Sequence, residues 1–442
     1  MATLVATPLA EQGRPWRRAL LWLALLGPFF FASYGFANWM AGRHATLPVM
    51  AFAWEVRIPF VPWTIVPYWS IDLFYAISFF LCRQRLELDR HALRLFSAQL
   101  IAVSCFLLWP LRFSFERPEI DGVCGWLFDV LLGFDKPFNQ APSLHIVLLI
   151  VLWVKFAQYL HGAWRWVLHA WALLIGVSVL TTFQHHFIDI PTGLLAGWLC
   201  VWLWPEQGTP PLRAWRTADD ARRWRLAALY LLGAAMLLVP VFLLRGVALW
   251  LLWPLVSLLL VALAYAGLGK AVFQKRADGR LTMAARWLLA PYLGAAWINS
   301  RLWTRRAPQP VPVMDGVWLG RIPCTVLPAP LVAVVDTCAE LSCRAPGAAY
   351  ASVPMLDLVV PTPEQLCEAA EAIERLRTQG PLLVCCALGR SRSAASLATW
   401  LLRSGRATDV DAAVAIVRAA RPGIVLGQAH LRAIEAAKEG LA

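Results

Sequence analysis

The chain has 442 residues, of which 59% are hydrophobic and 15% are charged, and its formal net charge is +13. This composition excludes an ordinary soluble protein and indicates a polytopic membrane protein with a soluble part attached. Nucleic-acid binding is also excluded, because the arginines cluster between apolar segments, where the excess of positive loops on the cytoplasmic side explains them.

Eight apolar segments are predicted to cross a membrane as helices, and several are short, as expected for tilted or tightly bundled helices. They are residues 19–39, 68–82, 95–111, 144–160, 166–180, 190–204, 226–244 and 247–268. Clusters of Lys and Arg fall on alternate turns, all on one side, which predicts that both ends of the bundle lie in the cytoplasm. We therefore expect a multi-pass inner-membrane protein among membrane lipids, with its soluble part in the cytoplasm.

Polar residues gather at the predicted outer side of this bundle, where they are costly near lipid unless they are paired or functional. His185 and Asp189 are four residues apart, so on a helical end they share a face, and the carboxylate can orient the imidazole for nucleophilic or acid–base chemistry. His145 opens the fourth span, where it can donate a proton to a leaving group. The candidate phosphate-binding residues nearby are Arg112, Arg117 and Lys136.

These residues resemble the type 2 phosphatidic acid phosphatase superfamily, in particular its inositolphosphotransferase-like branch. The family motifs K-x6-R-P, P-S-G-H and S-R-x5-H-x3-D are matched by Arg117-Pro118, by Pro142, Ser143 and His145, and by Ser178, His185 and Asp189. The resemblance implies that His185 is a nucleophile that forms a phosphohistidine, that Asp189 orients it, and that His145 is the general acid.

Leu144 stands for the Gly of the second motif, as is usual in the inositolphosphotransferase-like branch. Two further departures matter more: Pro110 and Val179 stand where the family has Lys and Arg. Phosphate binding would then depend on Arg112, Arg117 or Lys136, and a phosphotransferase-like site is expected rather than a typical hydrolase. Two alternatives stay open for the bundle. In the first, its polar residues only satisfy one another in an anchor. In the second, they line the path of a lipid transporter or flippase.

Residues 207–307 add two further spans and an apolar segment, 281–303, that is interrupted by Arg286, Pro291 and Asn299. We interpret this segment as an interfacial helix or a hairpin. The predicted organisation is a six-span membrane domain at 1–206, two extra spans with the interfacial segment at 207–307, and a soluble domain at 308–442. The fold class is a polytopic all-α membrane bundle followed by an α/β domain.

The strongest motif is C-x-x-G-x-x-R-S, formed by Cys386, Gly389, Arg392 and Ser393 after the apolar run 382–385. A strand, a short loop and a helix in this order form a cradle for an oxyanion, and its amides favour a thiolate at Cys386. Arg392 can hold two phosphate oxygens through its planar fork. The backbone of the intervening residues would bind the phosphate, and these residues are Ala387, Leu388, Gly389, Arg390 and Ser391.

A second C-x5-R spacing runs from Cys338 to Arg344, but Leu341 replaces the glycine and Ala345 replaces the serine. We therefore do not expect a phosphate loop there.

The segment from Val313 onward resembles the dual-specificity branch of the cysteine-dependent protein tyrosine phosphatases. Besides the Cys386 motif, the matching stretches are VWLGRIP, VPMLDLVVPTPEQL and RPGI. The resemblance implies that Cys386 is the nucleophile, Asp357 the general acid, Arg392 the phosphate clamp and Ser393 the hydroxyl that stabilises the thiolate. The family usually has His before the nucleophile, whereas this chain has Cys385, which we interpret as strand packing rather than as a redox partner.

Within the soluble domain, strands are predicted at 317–319, 331–335 and 382–385, and helices at 362–378, 393–402 and 409–418. The whole sequence thus predicts a membrane phosphatase without metal or cofactor. Its cytoplasmic cysteine site would hydrolyse phosphotyrosine, phosphoserine or a phosphorylated lipid headgroup, and an outer histidine site would act on a lipid phosphate. The alternatives are a membrane-anchored protein phosphatase, a transporter with a regulatory phosphatase domain, and a phosphate-binding pseudoenzyme.

Overall fold

The computed structural model describes residues 14–244, 246–323 and 327–439, so residues 1–13, 245, 324–326 and 440–442 of the predicted domains lie outside the described residues. The described chain is mostly helical and contains one small mixed sheet. It divides into two compact units. One comprises the chain up to Pro210 together with Pro240–Trp250, and the other comprises Pro211–Val239 together with the chain from Leu251 onward.

The first unit contains seven α-helices among its described residues. They are α1 (Trp16–Ala41), α2 (Ile65–Leu81), α3 (Arg85–Leu108), α4 (Gly122–Phe134), α5 (Leu144–Tyr159), α6 (Gly162–Thr181) and α7 (Asp189–Leu203). Six of them overlap the first six predicted spans, although α3 begins ten residues before the span predicted at 95–111. The exception is α4, which the sequence did not predict. It has only 13 residues, too few for a crossing, and it lies between the third and fourth predicted spans.

Six helical segments of the described chain are long and apolar enough to cross a membrane. They are Trp16–Ala41, Pro62–Leu81, Arg85–Leu108, Gly162–Thr181, Ala221–Leu244 and Gly246–Val272. The other two predicted spans, α5 and α7, are apolar but have 16 and 15 residues. Both lie in the interior of the first unit, where α5 contacts α2, α3, α6 and α7. Short helices are tolerated there because neighbouring helices cover them.

The close approach of α5 and α7 depends on two glycines. A Cβ atom added at Gly193 or Gly197 would lie 2.7 Å or 2.8 Å from the side chains of Ile146 and Ile150, respectively. Small residues let two apolar helices pack backbone to backbone. As a result the first turns of the two helices lie side by side, and the amide of Ser143 donates a hydrogen bond to the carbonyl of Asp189 at 3.1 Å.

The second unit begins with apolar helices. They are the residues 221–239 of α8 (Ala221–Leu244), α9 (Leu252–Leu263) with its π-helical continuation Ala264–Leu268, α10 (Met283–Leu288) and α11 (Ala290–Trp303). The predicted interfacial segment 281–303 is thus two short helices that meet at Leu289. Large apolar side chains on these two helices, such as Trp287, Trp297 and Trp303, are about half exposed.

An α/β domain completes the second unit. Its strands are β1 (Val311–Met314), β2 (Val317–Arg321), β3 (Ala333–Cys338), β4 (Ala349–Met355) and β5 (Leu382–Cys386). Its helices are α12 (Pro363–Arg377), α13 (Arg392–Arg403), α14 (Val410–Ala420) and α15 (Gln428–Glu439). The three predicted strands correspond to β2, β3 and β5, and the three predicted helices to α12, α13 and α14. Sequence patterns did not predict β1, β4 and α15.

The sheet has the strand order β1-β2-β5-β3-β4, in which only β1 is antiparallel to its neighbour. Every residue of β5 is buried, because its two faces look into two separate apolar cores. One core lies between the sheet and α12 to α15, and the other contains Cys338, Cys343 and Cys385. The carboxyl end of β5 therefore lies at the centre of the sheet, where α/β folds place their ligands.

The segment before α10 is attached to this domain by a buried lysine. Lys275 Nζ lies 2.5 Å from Asp336 Oδ2 and also donates to the carbonyl of Leu341 at 2.8 Å. The amide of Cys343 donates to the carbonyl of Gly279 at 2.9 Å. These bonds fix the connection that follows β3, which carries Glu340.

Candidate active site

The first candidate site is the Cys386 loop, which we define as residues 386–392 between β5 and α13. Gly389 is the one glycine of the loop, and its position excludes a side chain. Its φ is +69°, and a Cβ atom there would overlap the carbonyl group of Gly320 on the neighbouring strand β2. Only glycine combines this backbone conformation with so close an approach. The loop can therefore turn back on itself within hydrogen-bonding distance of the cysteine.

Two donors surround the sulfur of Cys386. The amide of Gly389 and the hydroxyl of Ser393 each lie 3.2 Å from Sγ. Burial raises the pKa of this thiol, but the charge of Arg392 and the hydrogen bonds of Ser393 outweigh it, so the net effect lowers the pKa. The site thus stabilises a thiolate, the nucleophilic form of cysteine.

Arg392 is held by a carboxylate that the sequence did not predict. Its Nη1 and Nη2 atoms each lie 2.7 Å from one oxygen of Glu340, and Nη1 also donates to the carbonyl of Met355 at 2.9 Å. Burial raises the pKa of Glu340, but the guanidinium of Arg392 outweighs it and the net shift is downward. Glu340 lies between Cys338 and Arg344, but the spacing of those two residues does not mark it.

Asp357 approaches the same arginine, with Oδ1 at 2.9 Å from Nη2. Its carboxylate is 32% exposed, so it can reach solvent or a substrate. Burial raises the pKa of Asp357, Arg392 lowers it and Glu340 raises it again, with a net upward shift. A raised pKa suits a carboxylic acid that donates a proton. The structure therefore brings Asp357, Arg392, Ser393 and Cys386 together.

The outer edge of the Cys386 loop is bonded to other elements. The carbonyl of Ala387 accepts a hydrogen bond from Ser300 at 2.6 Å, and that of Leu388 accepts from Arg421 at 3.4 Å. Arg390 donates to the carbonyl of Trp303 at 2.9 Å. With its carbonyls turned outward, the loop keeps its amides available to an anion.

Ser391 also faces away from the thiolate, because its Oγ lies 3.1 Å from Nε2 of His430 on α15. Sequence reasoning did not predict this contact or the serine on α11 that bonds to Ala387. Both join residues far apart in the chain, and no local pattern marks them.

The other cysteines near the loop have different surroundings. Cys385 is fully buried in the apolar core on one face of the sheet, where a hydrogen bond with Cys343 and burial raise the pKa of its thiol. Burial likewise raises the pKa of Cys338. Both thiols are therefore held in the protonated, unreactive form. Cys338 ends β3 as Cys386 ends β5, but the described chain after Cys338 runs to β4 without a helix, so the Cys338–Arg344 spacing forms no phosphate cradle.

No family model matches the chain, and no curated protein matches it. Similar solved structures include a variant of human DUSP28, at 25% identity, with 30% of this chain and 97% of that chain covered and a TM-score of 0.27. A mouse putative dual specificity phosphatase complexed with zinc tungstate is 26% identical, with 30% and 89% covered and a TM-score of 0.25. PTPMT1 is 18% identical, with 30% and 95% covered and a TM-score of 0.27.

The second candidate site lies in the first unit, at the adjacent ends of α5 and α7. His185 Nδ1 lies 3.0 Å from Asp189 Oδ2, and both side chains are buried. The ring of His145 lies 6.4 Å from that of His185 and stacks on Tyr68 at 3.9 Å. The fold therefore brings the three predicted residues together. It also adds Tyr68, which the motifs did not contain.

A second histidine–carboxylate pair lies beside the first and was not predicted. His186 Nδ1 lies 3.0 Å from Glu55 Oε2, and His186 Nε2 accepts a hydrogen bond from the amide of Ser114 at 3.2 Å. Because His186 has a partner on each ring nitrogen, it has no free nitrogen for a reacting group.

The predicted phosphate-binding residues of this region have other contacts. Arg117 lies over the ring of Phe128 at 4.4 Å, and Lys136 donates to the carbonyl of Leu132 at 3.2 Å. Arg112 is exposed. Within the part of the chain that the structure describes, no hydrogen bond joins any of the three to the histidines. Likewise, the described residues contain no group of three or more His, Cys, Asp or Glu side chains arranged to hold a metal ion.

Proposed function

We propose that the Cys386 loop hydrolyses a phosphomonoester. In the first step the thiolate of Cys386 attacks phosphorus, an S–P bond forms, and the bond to the leaving oxygen breaks as Asp357 gives that oxygen its proton. In the second step a water attacks phosphorus, Asp357 takes a proton from that water, and the S–P bond breaks. Inorganic phosphate leaves and the thiolate returns.

One observation carries this proposal: Sγ of Cys386 accepts hydrogen bonds from the amide of Gly389 and the hydroxyl of Ser393 at 3.2 Å, at the start of a helix that opens with Arg392. These donors stabilise the thiolate and the transferring phosphoryl group alike. The contact between Arg392 and Asp357 also has a mechanistic use. A substrate phosphate that binds Arg392 displaces the carboxylate, which is then free to protonate the leaving oxygen.

For the substrate we favour a phosphorylated lipid headgroup over a phosphoprotein. Arg390 of the loop is bonded to the end of α11, a helix that exposes Trp297 and Trp303, and aromatic side chains of this kind are typical of a bilayer interface. A phosphomonoester on a lipid would be presented at that surface. Phosphotyrosine and phosphoserine remain the competing substrates.

We further propose that the long apolar helices span a membrane and that the α/β domain lies in the cytoplasm. Six such helices and the Lys and Arg clusters between apolar segments support this orientation. A reducing compartment would also keep the catalytic thiol active.

A second activity is proposed for the histidine site, because His185 and Asp189 form a buried dyad with His145 nearby. His185 would attack the phosphorus of a lipid-linked phosphate through Nε2 while Asp189 holds Nδ1, and His145 would protonate the leaving oxygen. The phosphoryl group would then pass to water or to an acceptor hydroxyl.

Phosphate release tests both proposals. The purified full-length protein is assayed against a phosphotyrosine peptide, phosphoinositides, phosphatidylglycerophosphate, phosphatidic acid and an isoprenyl pyrophosphate. Wild type, Cys386→Ser and His185→Ala are compared. We expect Cys386→Ser and His185→Ala to abolish different parts of the panel. If Cys386→Ser releases phosphate from every substrate as the wild type does, the cysteine mechanism is refuted. If His185→Ala does so, the first unit is an anchor or a transporter and not an enzyme.

A further inference from the structure

Three tyrosines from helices outside the α/β domain form a cluster beside Asp357. Tyr265 lies in the π-helical turn after α9, Tyr230 lies on α8 and Tyr292 lies on α11. The rings of Tyr265 and Tyr230 stack at 5.5 Å with an interplanar angle of 7°, and Tyr292 meets Tyr230 edge-on at 5.9 Å. This tyrosine cluster belongs to the same compact unit as the Cys386 loop.

Within the cluster, Tyr265 contacts the backbone of the candidate general acid. Its hydroxyl donates a hydrogen bond to the carbonyl of Asp357 at 3.2 Å. Tyr265 is 2% exposed and its ring stacks on that of Tyr230. Because the ring is held on its sides, its hydroxyl points in one direction. A buried tyrosine hydroxyl needs a polar partner, and here that partner is the Asp357 carbonyl.

The peptide group that accepts this bond is conformationally unusual. Leu358 has a φ of +58°, in the left-handed region that residues with a side chain rarely adopt. Leu358 is 51% exposed, so packing of its own side chain does little to hold that conformation. If Leu358 relaxed to a negative φ, the carbonyl of Asp357 would swing away from Tyr265. The hydrogen bond therefore opposes the relaxation and keeps the Asp357 carboxylate beside Arg392.

A second hydrogen bond reaches the other catalytic loop from α11. Ser300 is fully buried, and its hydroxyl donates to the carbonyl of Ala387 at 2.6 Å. This bond turns the carbonyl outward, away from the thiolate. Each of the two loops that carry the reacting groups is thus bonded to an apolar helix that lies outside the α/β fold.

We propose that Tyr265 is a positioning residue for the general acid Asp357 and that Ser300 is a positioning residue for the Cys386 loop. This inference rests on the proposed phosphomonoester hydrolysis. The active site then extends beyond the α/β domain, and the apolar helices are part of the catalytic apparatus. The two residues affect different steps. Tyr265 affects proton transfer from Asp357, whereas Ser300 affects phosphate binding and the stability of the Cys386 thiolate.

The test compares leaving groups in the full-length protein in detergent. An alkyl phosphate such as glycerol phosphate needs proton donation to its leaving oxygen, whereas p-nitrophenyl phosphate departs readily without it. For Tyr265→Phe we expect kcat/KM to fall about tenfold with the alkyl ester and less than about twofold with the aryl ester. Tyr75→Phe, which removes a tyrosine hydroxyl from α2 in the first unit, is the control and should leave both values unchanged.

Ser300→Ala should behave differently. We expect it to lower kcat/KM by about the same factor for both esters and to shift thiolate formation, followed by the pH dependence of iodoacetamide alkylation, to higher pH. Thermal unfolding of each variant establishes that it is folded.

Asp357→Asn separates the failure of this inference from the failure of the proposed mechanism. Suppose that Asp357→Asn lowers kcat/KM more for the alkyl ester than for the aryl ester. If Tyr265→Phe then lowers kcat/KM equally for both esters, or for neither, Tyr265 has no positioning role. If Asp357→Asn itself lowers kcat/KM by the same factor for both esters, Asp357 is not the general acid and the proposed mechanism fails. An unchanged alkylation profile for Ser300→Ala overturns the role of Ser300.

Discussion

Arg392 and Glu340 form a bidentate ion pair in which each terminal nitrogen of the guanidinium lies 2.7 Å from one carboxylate oxygen. Both side chains are almost fully buried. Two parallel hydrogen bonds prevent the planar guanidinium from rotating, so Arg392 meets an incoming phosphate in one fixed orientation. Glu340 is therefore central to the stability of the site as well as to its geometry.

Removal of the Glu340 carboxylate should destabilise the protein. We expect Glu340→Ala to lower the free energy of unfolding by about 3–5 kcal/mol, because it leaves a buried guanidinium without its main partner. Turnover of every phosphomonoester should fall with it. Denaturant titration of the purified protein in detergent measures the change. Asp315→Ala, which breaks the exposed pair with Arg406, should cost at most about 1 kcal/mol, and equal losses would contradict the assignment.

The thiolate should depend on Ser393 and not on Ser391. The Ser393 hydroxyl donates to Cys386 Sγ, so Ser393→Ala removes a donor that lowers the pKa of the thiol. We expect the midpoint of iodoacetamide alkylation to move to higher pH by about one unit. Ser391→Ala is the control, because that hydroxyl faces His430 instead. A shift of the same size in both variants would argue against a specific contact.

The pH dependence of kcat/KM should be bell-shaped. Activity needs the thiolate of Cys386, so it rises as pH rises through a thiol pKa that lies below the usual value. It also needs protonated Asp357, so it falls as pH rises through a carboxyl pKa that lies above the usual value. Asp357→Asn should abolish the descending limb and keep the ascending one. Retention of the descending limb in that variant would assign it to another group.

Gly389 should tolerate no side chain. In Gly389→Ala the new Cβ would meet the carbonyl of Gly320 at a positive φ, so we expect loss of activity and about 1–3 kcal/mol of stability. Gly405→Ala is a close control, since its φ is +71° and nothing lies within 4 Å of its Cβ position. Gly405→Ala should lose stability only through the unfavourable backbone conformation, and it should keep its activity. Phosphate release and thermal unfolding distinguish the two variants.

The two adjacent histidines of the first unit should differ. His185→Gln should abolish any acid-labile phosphoenzyme formed from a labelled lipid phosphate, because it removes the nucleophile of the proposed dyad. His186→Gln should preserve that phosphoenzyme, because both ring nitrogens of His186 already have partners. The label is measured in a Cys386→Ser background, which removes the other nucleophile. Loss of the label in both variants would point to a structural effect.

Local order along the chain was sufficient to predict the Cys386 loop and most helices. A nucleophile, a glycine and an arginine at fixed spacing between a strand and a helix depend on neighbours in sequence, as does the i, i+4 pairing of His185 with Asp189. The apolar segments are equally local, since length and hydropathy define them.

Long-range contacts were beyond such patterns. Glu340 reaches Arg392 because β3 and β5 are neighbours in the sheet, although 52 residues separate the two side chains. Tyr265 donates a hydrogen bond to Asp357, 92 residues further along the chain. The sequence indicates only a membrane span at Tyr265. Such pairs leave no periodicity or spacing in the sequence. They form only when packing brings separate elements together, because a hydrogen bond or an ion pair depends on distance in space and not on distance along the chain.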